Sequence, residues 1–248
     1  MGRTEVESAK VAPQEEGDSY TKKLFKPIPE TPIHDVSLPA YYMDSHEVSN
    51  QEFHAFVNKN PEWNIIYARG KQGKADRNYL RHWDSIIPQA SSGESFPVVY
   101  VSWFAADAYC RAHGKRLPTE AEWERSVHVS ASANSKISVK SMKSKSWFYF
   151  NSLQTTHPVQ SKTPNTRGIF HLQGNVWEWV QDWYHAKYYS IAPYQNPSGP
   201  RSGIGKVIRG GGWNDGIERL QATSRDYAKP HYAVQDIGFR CARSSKPQ

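Results

Sequence analysis

The most informative stretch of this chain is Arg209–Cys241, RGGGWNDGIERLQATSRDYAKPHYAVQDIGFRC. Three consecutive glycines follow its first residue, and one of the chain's two cysteines closes it. A glycine run lets the backbone approach another backbone or a ligand closely, because glycine has no Cβ. Residues 237–242 predict a final strand that completes the fold. We therefore expect any chemistry of this protein to lie within this stretch.

The composition limits the class of protein. The chain has 248 residues, enough for one large domain or two small ones. Its nine tryptophans, fourteen tyrosines, sixteen glycines and sixteen prolines indicate short elements and irregular loops on a compact scaffold, rather than a helical bundle. No apolar run reaches the roughly 18 residues of a membrane helix, so we expect no membrane span.

The charge of the chain raises the question of nucleic-acid binding. The formal net charge is +7, and basic proteins bind phosphate backbones. However, lysines 136, 140, 143 and 145 are concentrated in one serine-rich stretch, residues 130–146. Such a stretch is typical of a solvated loop. We therefore expect no nucleic-acid partner.

Capping signals locate three helices. Ser49 and Glu52 match the Ser-x-x-Glu capping box, and Thr119 and Glu122 match a second one. Ser102 is an N-cap residue for a helix between them. Strand patterns cover residues 36–44, 96–101, 174–179 and 206–209. Few helices, short strands and long loops predict an α+β fold.

The chain also contains segments without a clear element. Residues 1–30 are polar and proline-containing, which predicts a flexible arm before a single domain at residues 31–245. Residues 60–93 form a long excursion with several aromatic side chains. Long excursions are often functional loops, but anchoring of the aromatic side chains in the core explains this one equally well.

Several motifs, in one order over residues 32–243, resemble the formylglycine-generating enzyme family, also called sulfatase-modifying factors. The motifs are Val101-Ser-Trp, Ala108-Tyr-Cys, Gly114-Lys-Arg-Leu-Pro-Thr-Glu-Ala-Glu-Trp-Glu, Gly174-Asn-Val-Trp-Glu-Trp, Arg209-Gly-Gly and Gly238-Phe-Arg-Cys. The resemblance implies a C-type-lectin-like fold with few helices and short twisted strands. It agrees with the α+β class predicted from the residues.

The resemblance also implies a site, and the sequence departs from it. The family's enzymes bind copper(I) through a cysteine pair shortly after the Arg-Gly-Gly motif, since thiolates are soft ligands suited to this ion. This chain has no cysteine between residues 111 and 240. We therefore expect no copper and no formylglycine-generating oxidation by the family's mechanism. The corresponding pocket would be lined by Trp213, Asp215, Glu218, Arg219 and Arg225. The charged residues of this region are either an acid–base set in a cleft or salt-bridged loop charges; they are Asp215, Glu218, Arg219, Arg225, Asp226 and His231.

The two cysteines that remain, Cys110 and Cys241, resemble the family's disulfide between a helix and the last strand. The alternative is two buried free thiols in a cytosolic protein. A disulfide favours an oxidising compartment, so the resemblance implies a periplasmic or secreted protein, and reduced cysteines would imply a cytoplasmic one.

The segment 174–178 resembles one of the family's calcium sites. In the family, its ligands are the backbone carbonyls at the positions of Gly174 and Val176 and the carboxylate at the position of Glu178. Calcium requires hard oxygen ligands. Here His171 occupies a position where the family usually has Asp or Asn, and imidazole is a poor calcium ligand. The sequence leaves calcium binding open.

Two functions remain open after this comparison. The first is an accessory or maturation factor that binds a protein or small-molecule ligand in the family groove. The second is an oxidoreductase of changed mechanism, similar to the relative that matures a bacterial siderophore. Within the family's mechanism, the missing cysteine pair removes a third, sulfatase-activating oxidation.

Overall fold

A computed structural model describes residues 31–83, 93–127 and 139–245. The predicted arm, residues 1–30, lies outside the described residues. The α-helices are α1 (Asn50–Lys59), α2 (Ile65–Ala68), α3 (Trp103–Ala112), α4 (Glu120–Val127) and α5 (Val139–Lys143). The strands are β1 (Tyr41–Met43), β2 (Trp177–Trp183), β3 (Lys206–Arg209), β4 (Arg225–Ala228), β5 (Ile237–Gly238) and β6 (Ala242–Ser244). Short 3₁₀ turns lie at Pro61–Trp63, Arg81–Trp83, Tyr188–Ser190 and Ile217–Leu220.

The strands form one mixed sheet and one two-stranded ribbon. The mixed sheet has the order β4-β3-β2-β5, with β2 antiparallel to β3 and parallel to β5. The ribbon pairs β1 with β6 in antiparallel fashion, so the two ends of the described chain meet. Much of the remaining chain is irregular loop. The predicted α+β class is confirmed.

The helices begin where local side-chain chemistry predicts. The Ser49 backbone N–H donates to Glu52 Oε2 at 2.8 Å, and the Glu52 N–H donates back to Ser49 Oγ at 3.3 Å. The second box repeats this exchange at Thr119, whose N–H donates to Glu122 Oε2 at 2.8 Å. Ser102 Oγ accepts from the Ala105 N–H at 3.1 Å. These contacts satisfy N–H groups that a helix start leaves unpaired.

Three buried clusters form the core. The largest joins α1, α3, β2 and β5, and its aromatic side chains include Phe53 stacked on Tyr109 at 5.7 Å between ring centroids. A second cluster lies on the other face of the mixed sheet around Trp123 and Val207. A small third cluster contains Met142, Phe148 and Leu220. Both faces of the mixed sheet are therefore covered.

The excursion at residues 60–83 is anchored by aromatic side chains and supports the C-terminal segment. Tyr79 is fully buried, and its hydroxyl donates to the Trp63 carbonyl at 2.9 Å. The Asp76 N–H donates to the His231 carbonyl at 2.8 Å. Anchoring in the core therefore accounts for this part of the excursion. Residues 84–92 lie outside the described residues.

Three predicted strands need correction. Of residues 36–44, only Tyr41–Met43 form a strand, and Ser37 makes an isolated bridge to Gln195. Residues 96–101 form no continuous strand, because Val98 donates to the Val48 carbonyl while Tyr100 donates to the Val234 carbonyl. Tyr100 also has φ 53°, which turns the backbone away from an extended path. At 174–179 the strand begins only at Trp177, because Gly174 and Asn175 have φ values of 89° and 63°.

The ends of two other predicted segments also differ. In the serine-rich stretch 130–146, the loop interpretation is wrong for residues 139–143, which form α5. The buried side chain of Met142 gives that helix a reason to form, and residues 130–138 lie outside the described part. The predicted last strand, 237–242, divides into β5 and the start of β6, which belong to different sheets.

A disulfide connects α3 to the segment between β5 and β6. Cys110 bonds to Cys241 across 131 residues of sequence. The predicted pairing is confirmed. Within the part of the chain that the structure describes, no helix combines the length and the apolar character needed to cross a membrane.

Candidate functional site

The candidate site begins where β3 leaves the mixed sheet. Gly210 and Gly211 have φ values of 104° and 75°, which residues other than glycine rarely adopt. A Cβ on Gly210 would lie 2.9 Å from the Leu172 carbonyl oxygen, and one on Gly211 would lie 2.9 Å from Leu220 Cδ2. The glycine run is therefore needed to fold residues 212–220 back against the sheet.

Asp215 is fixed at the end of this turn. Its Oδ2 accepts from the Trp177 indole N–H at 2.7 Å and from the Gly212 backbone N–H at 2.8 Å. Burial raises the pKa of Asp215, and the Gly212 hydrogen bond and the Arg219 charge oppose that rise. Because Trp177 belongs to β2, the sheet itself sets the position of this carboxyl group.

Two further carboxyl groups lie beside Asp215. A Cβ built on Gly212 would be 3.4 Å from Asp236 Cβ and 3.6 Å from Asp215 Oδ2, so both aspartates flank one glycine. Burial and the Asp215 charge raise the pKa of Asp236 to about 7. Asp226, on β4, accepts from Arg219 at 3.1 Å, and burial raises its pKa to about 7.

The other predicted site residues divide between this cluster and other places. Trp213 is partly exposed, and its indole N–H has no acceptor among the described residues. Glu218 is exposed to solvent. Arg225 lies elsewhere: its guanidinium donates twice to Glu120, at 2.8 Å each, and packs over the Tyr189 ring. Arg225 is therefore part of a buried ion pair, not of the Asp215 cluster.

Sequence reasoning left Asp236 out of the candidate site. The only sequence signal for it was its position two residues before the Gly238-Phe-Arg-Cys motif. The parallel pairing of β2 with β5 brings it to the site, and the Trp177 N–H donates to the Asp236 carbonyl at 2.7 Å. The site therefore contains Asp215, Asp226 and Asp236 with Arg219 and Trp213.

Copper(I) has no thiolate ligand in this site. The sequence contains two cysteines, and both form the Cys110–Cys241 disulfide. In place of soft sulfur ligands, the site offers hard carboxylate oxygens, which do not suit copper(I). The chemistry available to these residues is acid–base chemistry and the binding of polar groups.

The donor set implied for calcium does not fit that ion as the side chains are arranged. Glu178 is fully buried, and its two oxygens accept from Arg240 at 2.7 and 2.8 Å and from the Trp123 indole at 2.8 Å. Burial raises the pKa of Glu178, and Arg240 opposes that rise. Arg240 already supplies the positive charge that a calcium ion would bring. The described residues contain no group of three acidic, His or Cys side chains placed to hold a metal.

His171, which stands at a family calcium position, pairs with a carboxylate instead. Its Nδ1 lies 3.2 Å from Glu47 Oε1, and both side chains are fully buried. Asn175 donates to the same Glu47 oxygen at 2.9 Å. Burial alone would raise the pKa of Glu47, but His171 and Arg240 bring that pKa below its ordinary value.

Comparisons with known proteins identify the family of this chain. A family model described as "Sulfatase-modifying factor enzyme 1-like domain" matches residues 4–245. The serine/threonine-protein kinase pkn1 of Chlamydia pneumoniae is 33% identical over 87% of this chain, which spans only 35% of that kinase. The formylglycine-generating enzyme of Streptomyces coelicolor is 29% identical over 87% of this chain and 82% of its own length. The structure of PvdO from Pseudomonas aeruginosa has a TM-score of 0.68 and 22% identity, covering 86% of this chain and 84% of that one. The chain belongs to the sulfatase-modifying factor enzyme 1-like family.

Proposed function

We propose that this chain is a binding member of its family, an accessory or maturation factor, and not a sulfatase-activating oxidase. One observation carries the proposal: the chain has two cysteines, and both are joined in the Cys110–Cys241 disulfide, so neither offers a thiolate to copper(I). The turn instead presents Asp215, held by two hydrogen bonds. A carboxylate cannot form the copper(I)–thiolate centre on which the family's oxidation depends.

The ligand-binding surface in this proposal is the cluster around Asp215. Trp213 offers a partly exposed indole ring, although its N–H group is itself buried. Exposed Glu218 and the Arg219–Asp226 pair add polar groups at its edge. An aromatic wall with a few convergent polar groups is the usual composition of a ligand site. Similarity to one third of a kinase supports a modular role, because the matched region of that relative is a part of a longer chain.

An aldehyde assay tests the proposal. The purified protein, supplied with copper(I) and oxygen, is incubated with a cysteine-containing sulfatase peptide, and the peptide is analysed by mass spectrometry. We expect the cysteine to remain intact, while the Streptomyces coelicolor relative run in parallel converts it. Conversion of the peptide by this chain, at any rate above the protein-free blank, would overturn the proposal.

A second candidate is an enzyme of changed mechanism that acts on a small molecule. The observation that favours it is the pair Asp226 and Asp236, whose pKa values of about 7 suit general acid–base catalysis near neutral pH. Incubation with a metabolite extract, followed by mass spectrometry of bound and free molecules, separates the two candidates. A binding protein returns its ligand with unchanged mass, whereas an enzyme depletes one molecule and accumulates another.

The compartment also belongs to this proposal. The Cys110–Cys241 disulfide favours an oxidising environment, and we propose a periplasmic or secreted location. Fractionation of the source cells, with detection of the chain by antibody, tests this directly. Recovery in the cytosolic fraction with both thiols reduced would contradict it.

A further inference from the structure

An exposed apolar segment lies next to the candidate site. Residues 149–153, which we call the apolar ridge, expose 50% of Tyr149, 50% of Phe150 and 86% of Leu153. The Tyr149 and Phe150 rings contact each other at 5.5 Å between centroids. Single exposed apolar side chains are common on protein surfaces, but a cluster of large ones often marks an interaction site.

The backbone of the ridge is held in an unusual conformation. Leu153 and Gln154 have φ values of 55° and 59°, a region that costs a non-glycine residue about 1–2 kcal/mol. Buried Ser152 holds this turn, because its Oγ donates to the Trp213 carbonyl at 2.7 Å and accepts from the Gln154 N–H at 3.3 Å. Its carbonyl accepts from His157 Nε2 at 2.7 Å. The ridge is thus preorganised rather than loose.

The ridge and the candidate site form one structural unit. The Tyr149 N–H donates to the Asp215 carbonyl at 3.0 Å. Phe148, immediately before the ridge, packs in the third core cluster with Met142 of α5 and Leu220. Leu220 belongs to residues 212–220, which we call the site turn. A partner that contacts the ridge would therefore also lie against the turn that carries Asp215.

The exposed charge on this unit is mainly positive. Lys140, Lys143 and Lys145 on and after α5 are exposed, and Glu218 is the exposed acid of the site turn. The chain near Lys143 is adjacent to the ridge, because Asn151 donates to the Ser146 carbonyl at 3.0 Å. Positive groups beside an apolar ridge complement a partner that combines carboxylates with an apolar side chain.

We infer that the apolar ridge docks an acidic segment of a partner protein that carries an aromatic or aliphatic side chain. The inference rests on the proposed binding role and names the partner's chemistry. A protein segment is favoured over a membrane because Tyr149 and Phe150 are each already half-buried, and membrane insertion strengthens with the apolar area buried. Leu153 offers one protruding apolar contact, and the exposed lysines lie on and after the neighbouring α5.

The probe that tests this inference is a short fluorescein-labelled peptide, rich in Glu and Asp with a central Leu-Phe pair. Fluorescence anisotropy at low salt should detect its binding to the wild-type chain. Phe150→Ser combined with Leu153→Asn should weaken binding about tenfold or more, because two apolar contacts are lost. Lys140→Gln with Lys143→Gln should weaken it several-fold and reduce its salt dependence.

Matched controls make these outcomes specific. Ile66→Asn replaces a side chain that is 77% exposed on α2, and Lys71→Gln removes an exposed charge nearby. Neither should change binding. Circular dichroism and thermal melting confirm that each variant is folded.

Three results would overturn the inference. One is unchanged binding by the Phe150/Leu153 variant, and another is equal binding of a peptide with Lys in place of every acid. The third is binding of phosphatidylserine vesicles without binding of any peptide, which would assign the ridge to a membrane. The aldehyde assay is independent of all three, so failure of the ridge and failure of the proposed binding role are distinguishable.

Discussion

Two regions of this molecule differ in how their buried charges are balanced. We call them the buried frame (Glu47, His171, Glu178 and Arg240) and the site face (Asp215, Asp226 and Asp236). In the frame, Glu178 faces Arg240 and Glu47 faces His171, and all four side chains are fully buried. On the site face, Asp215 and Asp236 flank Gly212, and burial raises the pKa of both carboxyl groups. The frame satisfies its charges internally, whereas the site gathers like charges that favour protonation or an external partner.

The difference separates the parts of the family fold that this chain retains from those it has replaced. The frame keeps the disulfide, and Arg240 of the shared Gly238-Phe-Arg-Cys motif pairs with Glu178, the carboxylate at a position implied for calcium. The site face keeps the glycine turn but replaces soft cysteine chemistry by carboxylates. Stability should therefore depend on the frame, and ligand chemistry on the site face. Four measurements test this division.

Removal of the disulfide should have the largest effect. The Cys110→Ala, Cys241→Ala double variant opens a loop of 131 residues, which should lower the free energy of unfolding by about 4–5 kcal/mol on the chain-entropy model. Urea denaturation at neutral pH measures this difference. Wild-type protein treated with reductant serves as the control and should approach the double variant. A loss below about 1 kcal/mol would show that the frame does not depend on this bond.

Breaking the Glu178–Arg240 pair should be nearly as costly. Glu178→Gln removes the carboxylate that pairs directly with the buried Arg240 guanidinium and leaves it the more distant Glu47 carboxylate at 4.0 Å. Loss of one partner of a buried ion pair typically costs about 3–5 kcal/mol. Exposed Glu218→Gln is the matched control and should change stability by less than about 0.5 kcal/mol. Thermal melting of the wild type with calcium and with chelator tests the metal separately. A chelator-induced fall in Tm would show that calcium, not Arg240, balances these carboxylates.

The site face should give a smaller effect that depends on pH. The pKa of Asp236 is about 7 in the folded chain and about 3.9 in the unfolded chain. Between these values the folded state binds more protons, so stability falls as pH rises from about 4 to about 7 and then levels. Asp236→Asn should match the wild type at pH 4 and exceed its stability at pH 8 by on the order of 2 kcal/mol.

Exposed Asp35→Asn provides the control for this pH dependence. It should leave the difference in unfolding free energy between pH 4 and pH 8 as it is in the wild type. An Asp236→Asn variant that is less stable than the wild type at pH 8 would mean that the ionised carboxylate is favoured in the folded chain. That outcome would contradict the contrast between the two regions.

The helix starts that the sequence predicts are set by nearby residues. Each capping box lies within four residues, so the starts of α1 and α4 follow from Ser49 and Thr119 alone. The segment 96–101 could not be assigned in this way, because its two backbone donors reach Val48 and Val234, which are distant in sequence. Nearby side chains determine where a helix begins, whereas the pairing of a strand depends on which segments, distant in sequence, lie beside it.

The candidate site shows the same limit. Arg225 and Asp226 are neighbours on β4, so their side chains point to opposite faces of the sheet. Arg225 therefore reaches Glu120, while Asp226 reaches Arg219 on the site face. The sequence does not show which residues of this segment face each side of the sheet, so it groups Arg225 with Asp215. Asp236 was missed because parallel pairing with β2, not proximity in sequence, brings it to Gly212.

The smallest expected effect lies at the tip of the apolar ridge. Leu153 has φ 55° and exposes 86% of its surface, so it contributes little burial and some backbone strain. Leu153→Asn should stabilise the folded chain by about 0.5–1 kcal/mol, because asparagine tolerates the left-handed region better. Chemical denaturation should resolve this gain.

Gln154→Asn is the matched change at the next left-handed position and should act in the same direction. A destabilised Leu153→Asn variant would mean that this side chain supports the fold rather than facing a partner. A stabilised Leu153→Asn variant would show that leucine weakens the fold at this position, as expected of a side chain that serves to contact a partner.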